Sequence, residues 1–150
     1  MRFLRRTPVR TFLLSPLVTL AWESFLNRGG LRINLVFLPL MLWGYLQYRL
    51  CGLYRTKHGG GGPGLEKPPV RLVSDGPYAY SRNPMYLGHV LFLIGLALTL
   101  QSLLAALITV ATALWFHRRV LEDERNLAQS FGEPYLQYRA KVARWVPGLF

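Results

Sequence analysis

The stretch NPMYLGHVLFLIGLALTLQSLLAALITVATALWFH, from Asn83 to His117, runs for 35 residues without a Lys, Arg, Asp or Glu. As one helix, at ~1.5 Å per residue, it would be roughly 50 Å long, against a bilayer core of ~30 Å. It therefore has to bend, and Gln101-Ser102 is the natural turn. That predicts a hairpin with arms near Tyr86–Leu100 and Leu103–His117. Charge resumes at once on both sides, with Arg82 before the stretch and Arg118-Arg119 after it.

Two weaker uncharged runs precede it, Thr11–Trp22 and Ile33–Tyr48. The first extends to a span over about Pro8–Leu26 if Glu23 is tolerated near its end. Asn27-Arg28-Gly29-Gly30 then turns the chain into a second span over about Leu31–Leu50. The expected fold is all-α: a polytopic membrane helix bundle with about four transmembrane helices in two hairpins, followed by a C-terminal amphipathic cytoplasmic helix.

Composition agrees. Of the 150 residues, 51% are hydrophobic and only 17% charged, where soluble domains carry roughly 25%. Mean hydropathy is +0.21. The net charge of +11 invites a nucleic-acid reading. The basic residues flank apolar segments, however, as they do in membrane proteins, and no nucleic-acid partner is expected. With the N-terminus inside, only Arg28 and Arg32 of the 18 Lys and Arg fall on the outer side. Both termini and the long central loop are then cytoplasmic. The opening Met1-Arg2-Phe3-Leu4-Arg5-Arg6 has no convincing cleavage site after it and reads as part of a retained membrane segment. Cys51 has no partner for an intrachain disulfide.

The chain divides as one domain: a first hairpin at 1–51, a cytoplasmic loop at 52–82, the second hairpin at 83–117 and cytoplasmic helices at 118–150. The loop carries Gly59-Gly60-Gly61-Gly62-Pro63-Gly64 and Pro68-Pro69, which argues against regular helix. The glycine run lacks the Gly-Lys-Ser/Thr ending of a phosphate loop and reads as a lid or linker. No Cys/His cluster has metal-ligand spacing, so no metal is expected. In the tail, Leu127, Phe131, Tyr135, Tyr138, Val142 and Trp145 recur every three or four residues, interrupted at Gly132 and restarted at Pro134. That apolar stripe lies on the membrane surface or packs on the other helices.

The candidate site lies at the mouth of the second hairpin. Gly76-Pro77 makes a turn, and Asn83 caps the helix that Pro84 begins. The unpaired N–H groups of that first turn favour an anion, and Arg82 adds a forked donor. Tyr78, Tyr80 and Tyr86 offer faces to a planar or cationic ligand. At the far end of the hairpin stand Glu122, Asp123 and Glu124. Three consecutive acids on a helix spread over about 200°, so at most one or two face a common site. They either hold a ligand cation or neutralise Arg118, Arg119 and Arg125. An anion-binding end, aromatic walls and an acid together suit an amino-acid zwitterion attached to a nucleoside.

Two elements of this chain, in this order and spacing, resemble the isoprenylcysteine carboxyl methyltransferase and phospholipid methyltransferase superfamily. One is Arg82-Asn83-Pro84-Met85-Tyr86-Leu87-Gly88. The other is Asp123-Glu124 followed by Phe131-Gly132-Glu133-Pro134-Tyr135-Leu136-Gln137-Tyr138. The resemblance covers roughly Val73 to the C-terminus. It implies S-adenosylmethionine as methyl donor, bound on the cytoplasmic side, and a lipophilic small-molecule or lipid acceptor from the bilayer. It places Tyr78, Asn83, Pro84, Tyr86, Gly88, Asp123 and Glu124 at the cofactor, beside Arg82 as the forked donor and with Glu122 as the alternative acid, and gives Arg119 the substrate-carboxylate role. Asn83 stands where the family more often has His, and Asp123 where it has Glu. A carboxylate acceptor needs no base, whereas an amine must lose a proton. His89 and His117 read as packed polar residues rather than bases. The competing readings are a reductase-like relative that uses NADPH and a non-catalytic membrane scaffold. No oligomeric state is read from the sequence.

Overall fold

The computed structural model describes residues 6–62 and 69–147. Among these there are helices and turns and no strand. Helix α1 (Thr7–Val9) leads through a π-helical stretch (Arg10–Leu14) into α2 (Ser15–Leu26). A 3₁₀ turn (Leu35–Phe37) precedes α3 (Leu38–Gly59), and a second (Gly76–Ala79) precedes α4 (Pro84–Leu100). Then follow α5 (Leu103–Phe131) and α6 (Glu133–Lys141).

The chain bends at Gln101-Ser102 as its length demanded. Gln101 sits at φ +48°, and Ser102 Oγ accepts the Ala105 N–H at 3.2 Å, the bond of a serine cap. The second arm does not stop at His117: α5 continues unbroken to Phe131, so Arg119 and the three acids ride on it.

Helix α3 also differs from its expected bounds, beginning at Leu38 rather than Leu31. Asn34 Oδ1 accepts the Val36 N–H at 3.1 Å, a local bond that competes with helix. At its other end α3 takes in residues 52–59, expected to be loop. No proline interrupts them, and the helix ends where Gly60 and Gly61 turn to φ +72° and +76°. The Gly59 carbonyl accepts both the Val70 and the Arg71 N–H at 2.8 Å. A Cβ on Gly59 would lie 2.6 Å from Val73 Cγ2, so this close approach needs glycine.

One described helix, Leu103–Phe131, is long and apolar enough to cross a membrane; Pro84–Leu100 is apolar but shorter.

The chain forms two compact units, Met1–Leu46 with Gly88–Ala113, and Gln47–Leu87 with Leu114–Phe150. The first has a core of Phe92, Leu93, Leu96, Leu100 and Ala105, against which Phe12, Leu20 and Met41 pack. Two glycines bring backbones together there. A Cβ on Gly44 would lie 2.3 Å from Phe92 N, and one on Gly95 would lie 2.5 Å from Met41 N. Such close crossings are typical of helices packed in lipid. Ser102 Oγ donates to Glu23 Oε1 at 2.6 Å. Outward on this unit stand Leu17, Trp22, Phe25, Trp43, Leu107 and Val110, all substantially exposed. The second unit holds the candidate site.

Candidate functional site

Three pieces of the second unit, together with Arg55 of α3 and the segment 69–73, build a cavity of about 320 Å³. The first is the loop from Gly76 into the start of α4. Gly76 sits at φ +55°, and a Cβ there would strike the Tyr54 ring at 2.5 Å. The 3₁₀ turn that follows buries Tyr78, whose carbonyl accepts the Tyr138 hydroxyl at 2.7 Å. Asn83 then opens α4, its carbonyl accepting the Leu87 N–H at 3.1 Å. The second piece is the part of α5 that follows its apolar run. The third is α6, which starts beyond Gly132 at φ +60° and contributes the buried Tyr135 and Tyr138.

Of the expected site residues, Tyr78, Arg82, Asn83, Pro84, Tyr86, Arg119 and Asp123 all line this cavity. Gly88 does not; it falls in the first unit, where its carbonyl is 2.7 Å from the Cβ position of Gly44. The three acids separate as helix geometry requires. Asp123 lines the cavity and accepts the Tyr86 hydroxyl at 2.6 Å. Glu122 lines a neighbouring cavity together with Trp115 and Arg118. Glu124 lines neither. It is buried and binds Arg82 Nη2 and Arg144 Nη2, each at 3.2 Å. The Asn83 side chain likewise turns to Glu124 Oε1, at 3.3 Å, and to the Arg144 carbonyl, at 3.2 Å.

Asp123 lies beyond the uncharged stretch. Burial raises its pKa above the ordinary carboxylate value, while the Tyr86 hydrogen bond and the charge of Arg119 oppose the rise. Arg119, one turn earlier on the same face, lies over the Trp115 ring at 5.7 Å. Burial pushes the Tyr135 phenol up to about 12 and raises those of Tyr78 and Tyr138 as well. Among the described residues the Tyr78 and Tyr135 hydroxyls are buried with no hydrogen-bond partner. A phenol left unpaired in this way costs free energy that a polar ligand restores.

Sequence reasoning missed five polar liners: Arg55, Asn126, Ser130, Tyr135 and Tyr138. For Asn126 and Ser130 a signal was present. Residues 119, 123, 126 and 130 are spaced four, three and four apart, which is one helix face. Arg55 had none, because it lies in the part of α3 taken for loop. Its Nη2 donates to the Gly62 carbonyl at 3.1 Å, so the glycine run meets a cavity residue. Tyr135 and Tyr138 were read in the apolar stripe and in the motif of the resemblance, but not among the site residues.

Residues 56–134 match the family model described as phospholipid methyltransferase. The protein-S-isoprenylcysteine O-methyltransferase of Schizosaccharomyces pombe is 37% identical over 78 residues, covering 51% of this chain and 33% of that protein. Methanethiol S-methyltransferase 1 of Bradyrhizobium diazoefficiens is 28% identical over 142 residues, covering 88% of this chain and 47% of that one. The chain thus spans less than half the length of these relatives. A solved eukaryotic intramembrane Ras methyltransferase, an isoprenylcysteine carboxyl methyltransferase, shares the fold, with TM-score 0.65 and 22% identity over 95% of this chain and 53% of that one.

Proposed function

Because this chain belongs to the phospholipid methyltransferase family, we propose that it is an integral-membrane methyltransferase. Its donor is S-adenosylmethionine and its acceptor is lipophilic. The observation that carries the reading is the Tyr86–Asp123 pair in the wall of a cavity that Arg119 and Asn83 also line. The residues present fit this donor. The Asp123 carboxylate answers an ammonium, and the faces of Tyr78, Tyr86 and Tyr135 attract a sulfonium. The Tyr78 and Tyr135 hydroxyls, without a partner among the described residues, offer hydrogen bonds to a polar ligand. A cavity of this volume lies at the lower end of the range for small-molecule sites.

The bound donor supplies a methyl group on a positively charged sulfur, a good electrophile. What remains for the protein is to hold the reacting atoms aligned and keep water out. A carboxylate acceptor is already nucleophilic, so no base is required of this chain. Arg119 is the residue that receives the acceptor carboxylate, as the resemblance suggests.

Four spans in two hairpins, with both termini cytoplasmic, complete the reading. Its support is the outward Leu, Trp and Phe side chains of the first unit and the placement of the basic residues. Reporter fusions after Arg28 and at the C-terminus test it; both on one side would remove the first hairpin.

One observation favours a second acceptor class. The methanethiol enzyme aligns over 88% of this chain, the prenylcysteine enzyme over 51%. A small thiol is therefore the alternative acceptor. Calorimetry with S-adenosylmethionine and, separately, NADPH tests the donor. Binding of NADPH alone sinks the proposal. Transfer of a labelled methyl to a farnesylcysteine analogue or to a short alkanethiol then separates the acceptors.

A further inference from the structure

The resemblance puts Glu124 in contact with the cofactor, but the structure gives its carboxylate other partners. Arg82 Nη2 donates to it at 3.4 Å, Asn83 Nδ2 at 3.3 Å, and Arg144 through both Nε and Nη2 at 3.2 Å. These donors come from the loop before α4 and from the chain after α6. Other bonds join the same two segments. The Arg82 N–H donates to the Ala143 carbonyl at 2.9 Å, and Ser81 Oγ to the Arg144 carbonyl at 3.4 Å. Arg82 Nη1 reaches the Arg139 carbonyl in the last turn of α6 at 2.7 Å. Trp145 stacks on His117 at 6.4 Å.

Residues 139–145 are thus strapped across residues 81–83, with Glu124 as the one acid between two guanidiniums. Arg82 and Asn83 line the cavity from the loop side, Tyr135 and Tyr138 from α6. The strap therefore closes a ring around the cavity without Glu124 lining it. We infer that Glu124 is a positioning residue, the buckle of a clasp formed with Arg82 and Arg144, and that this clasp sets how tightly the cavity holds its ligand. The inference rests on the reading that the ligand is S-adenosylmethionine.

The energetics of the clasp are lopsided. Removing the acid leaves two guanidiniums facing each other, one of them with its side chain only 8% exposed. Removing Arg144, whose side chain is 28% exposed, leaves Glu124 still paired with Arg82. Arg144→Ala is therefore the gentler cut, and Arg144→Lys keeps the charge while losing the fork.

The test uses the full chain in detergent: wild type, Glu124→Gln, Arg144→Ala, Arg144→Lys and the double variant Glu124→Gln/Arg144→Ala. Amide hydrogen exchange is followed across 81–83 and 139–147 without ligand, and S-adenosylmethionine affinity by calorimetry. Each single cut should speed exchange in both segments and weaken affinity about tenfold; the double should match the weaker single, because both sever one clasp. Arg144→Lys should recover part of each loss. Additive losses in the double, or exchange unmoved by Arg144→Ala, overturn the inference and make Glu124 a direct ligand. If Glu124→Gln does not fold, exchange in Arg144→Ala and its recovery in Arg144→Lys decide the matter. If the wild type binds no S-adenosylmethionine, the donor proposal fails, while the exchange arm still decides the clasp.

Discussion

Replacing Tyr86 by Phe removes one oxygen and little else. The ring keeps its edge contact with Phe116, whose centroid is 4.9 Å away. What is lost is the hydroxyl donating to Asp123 Oδ2 at 2.6 Å, a short bond to a group that is charged when ionised. Such bonds contribute about 1.5–3 kcal/mol. The loss falls on the ionised form of Asp123. Burial already raises this carboxyl's pKa, and the Tyr86 bond is the largest influence holding it down, ahead of Arg119. In Tyr86→Phe the pKa climbs further. The sign follows from linkage: an acid whose folded pKa exceeds its unfolded value keeps its proton longer in the folded state. Its contribution to stability therefore falls as pH rises through that interval, and the variant extends the fall to higher pH. Ligand binding runs the other way, since an ammonium needs the carboxylate and affinity drops as pH falls through the pKa. Calorimetric titration with S-adenosylmethionine at several pH values should show about tenfold weaker binding at neutral pH, a loss of about 1.4 kcal/mol. The acid limb of the affinity profile should also move to higher pH. Wild-type affinity at every pH would refute the coupling. An equal loss at every pH would mean that the hydroxyl touches the ligand itself and does not act through Asp123.

Gly44→Ala should cost about 3 kcal/mol, because the new Cβ meets Phe92 backbone atoms at 2.3 and 2.8 Å that cannot move aside. An unchanged thermal midpoint would contradict that packing. Glu122→Gln should leave S-adenosylmethionine affinity unchanged, while Asp123→Asn should weaken it about tenfold by removing the charge we propose for the ammonium. Equal effects of the two would mean that the wrong acid has been assigned. Tyr78, Tyr135 and Tyr138 should resist ionisation in the folded protein when the phenolate band is followed with pH, Tyr135 to about 12. Unfolded tyrosines titrate near 10, so stability should fall as pH rises above about 10. A single titration of all eight tyrosines near pH 10 in folded protein would contradict their burial.

The elements that could be read in the sequence are those set by local chemistry. The turn at Gln101-Ser102 followed from length alone, and the break at Gly132 from glycine and proline. The end of α3 was misplaced because a glycine run signals that a helix stops but not where; residues 53–58 carry no glycine or proline, and Gly52 and Gly59 are held within the helix. Many of the residues that line the cavity were legible in the sequence, but not their division of labour. Which acid faces the cavity depends on where Arg82 and Arg144 stand, 42 and 20 positions from Glu124. No local pattern encodes a pairing over those distances. Tyr135 shows the same limit: its place in the stripe announces burial but not the cavity it lines.

Glu23 carries a consequence for biogenesis. It is joined by Asn27 Nδ2 at 3.3 Å from its own helix end, but its short bond comes from Ser102, 79 positions later. During synthesis Glu23 therefore lacks this bond until the turn before α5 has been made. The same Ser102 hydroxyl caps α5. One residue thus licenses both the start of a helix and the settling of an earlier charge. Ser102→Ala is accordingly a defect of assembly as well as a loss of two bonds in the finished protein. Expressed beside the wild type, it should yield less folded, monodisperse protein, while the molecules that do mature bind ligand normally. Equal yields would mean that the two hairpins assemble without reference to each other.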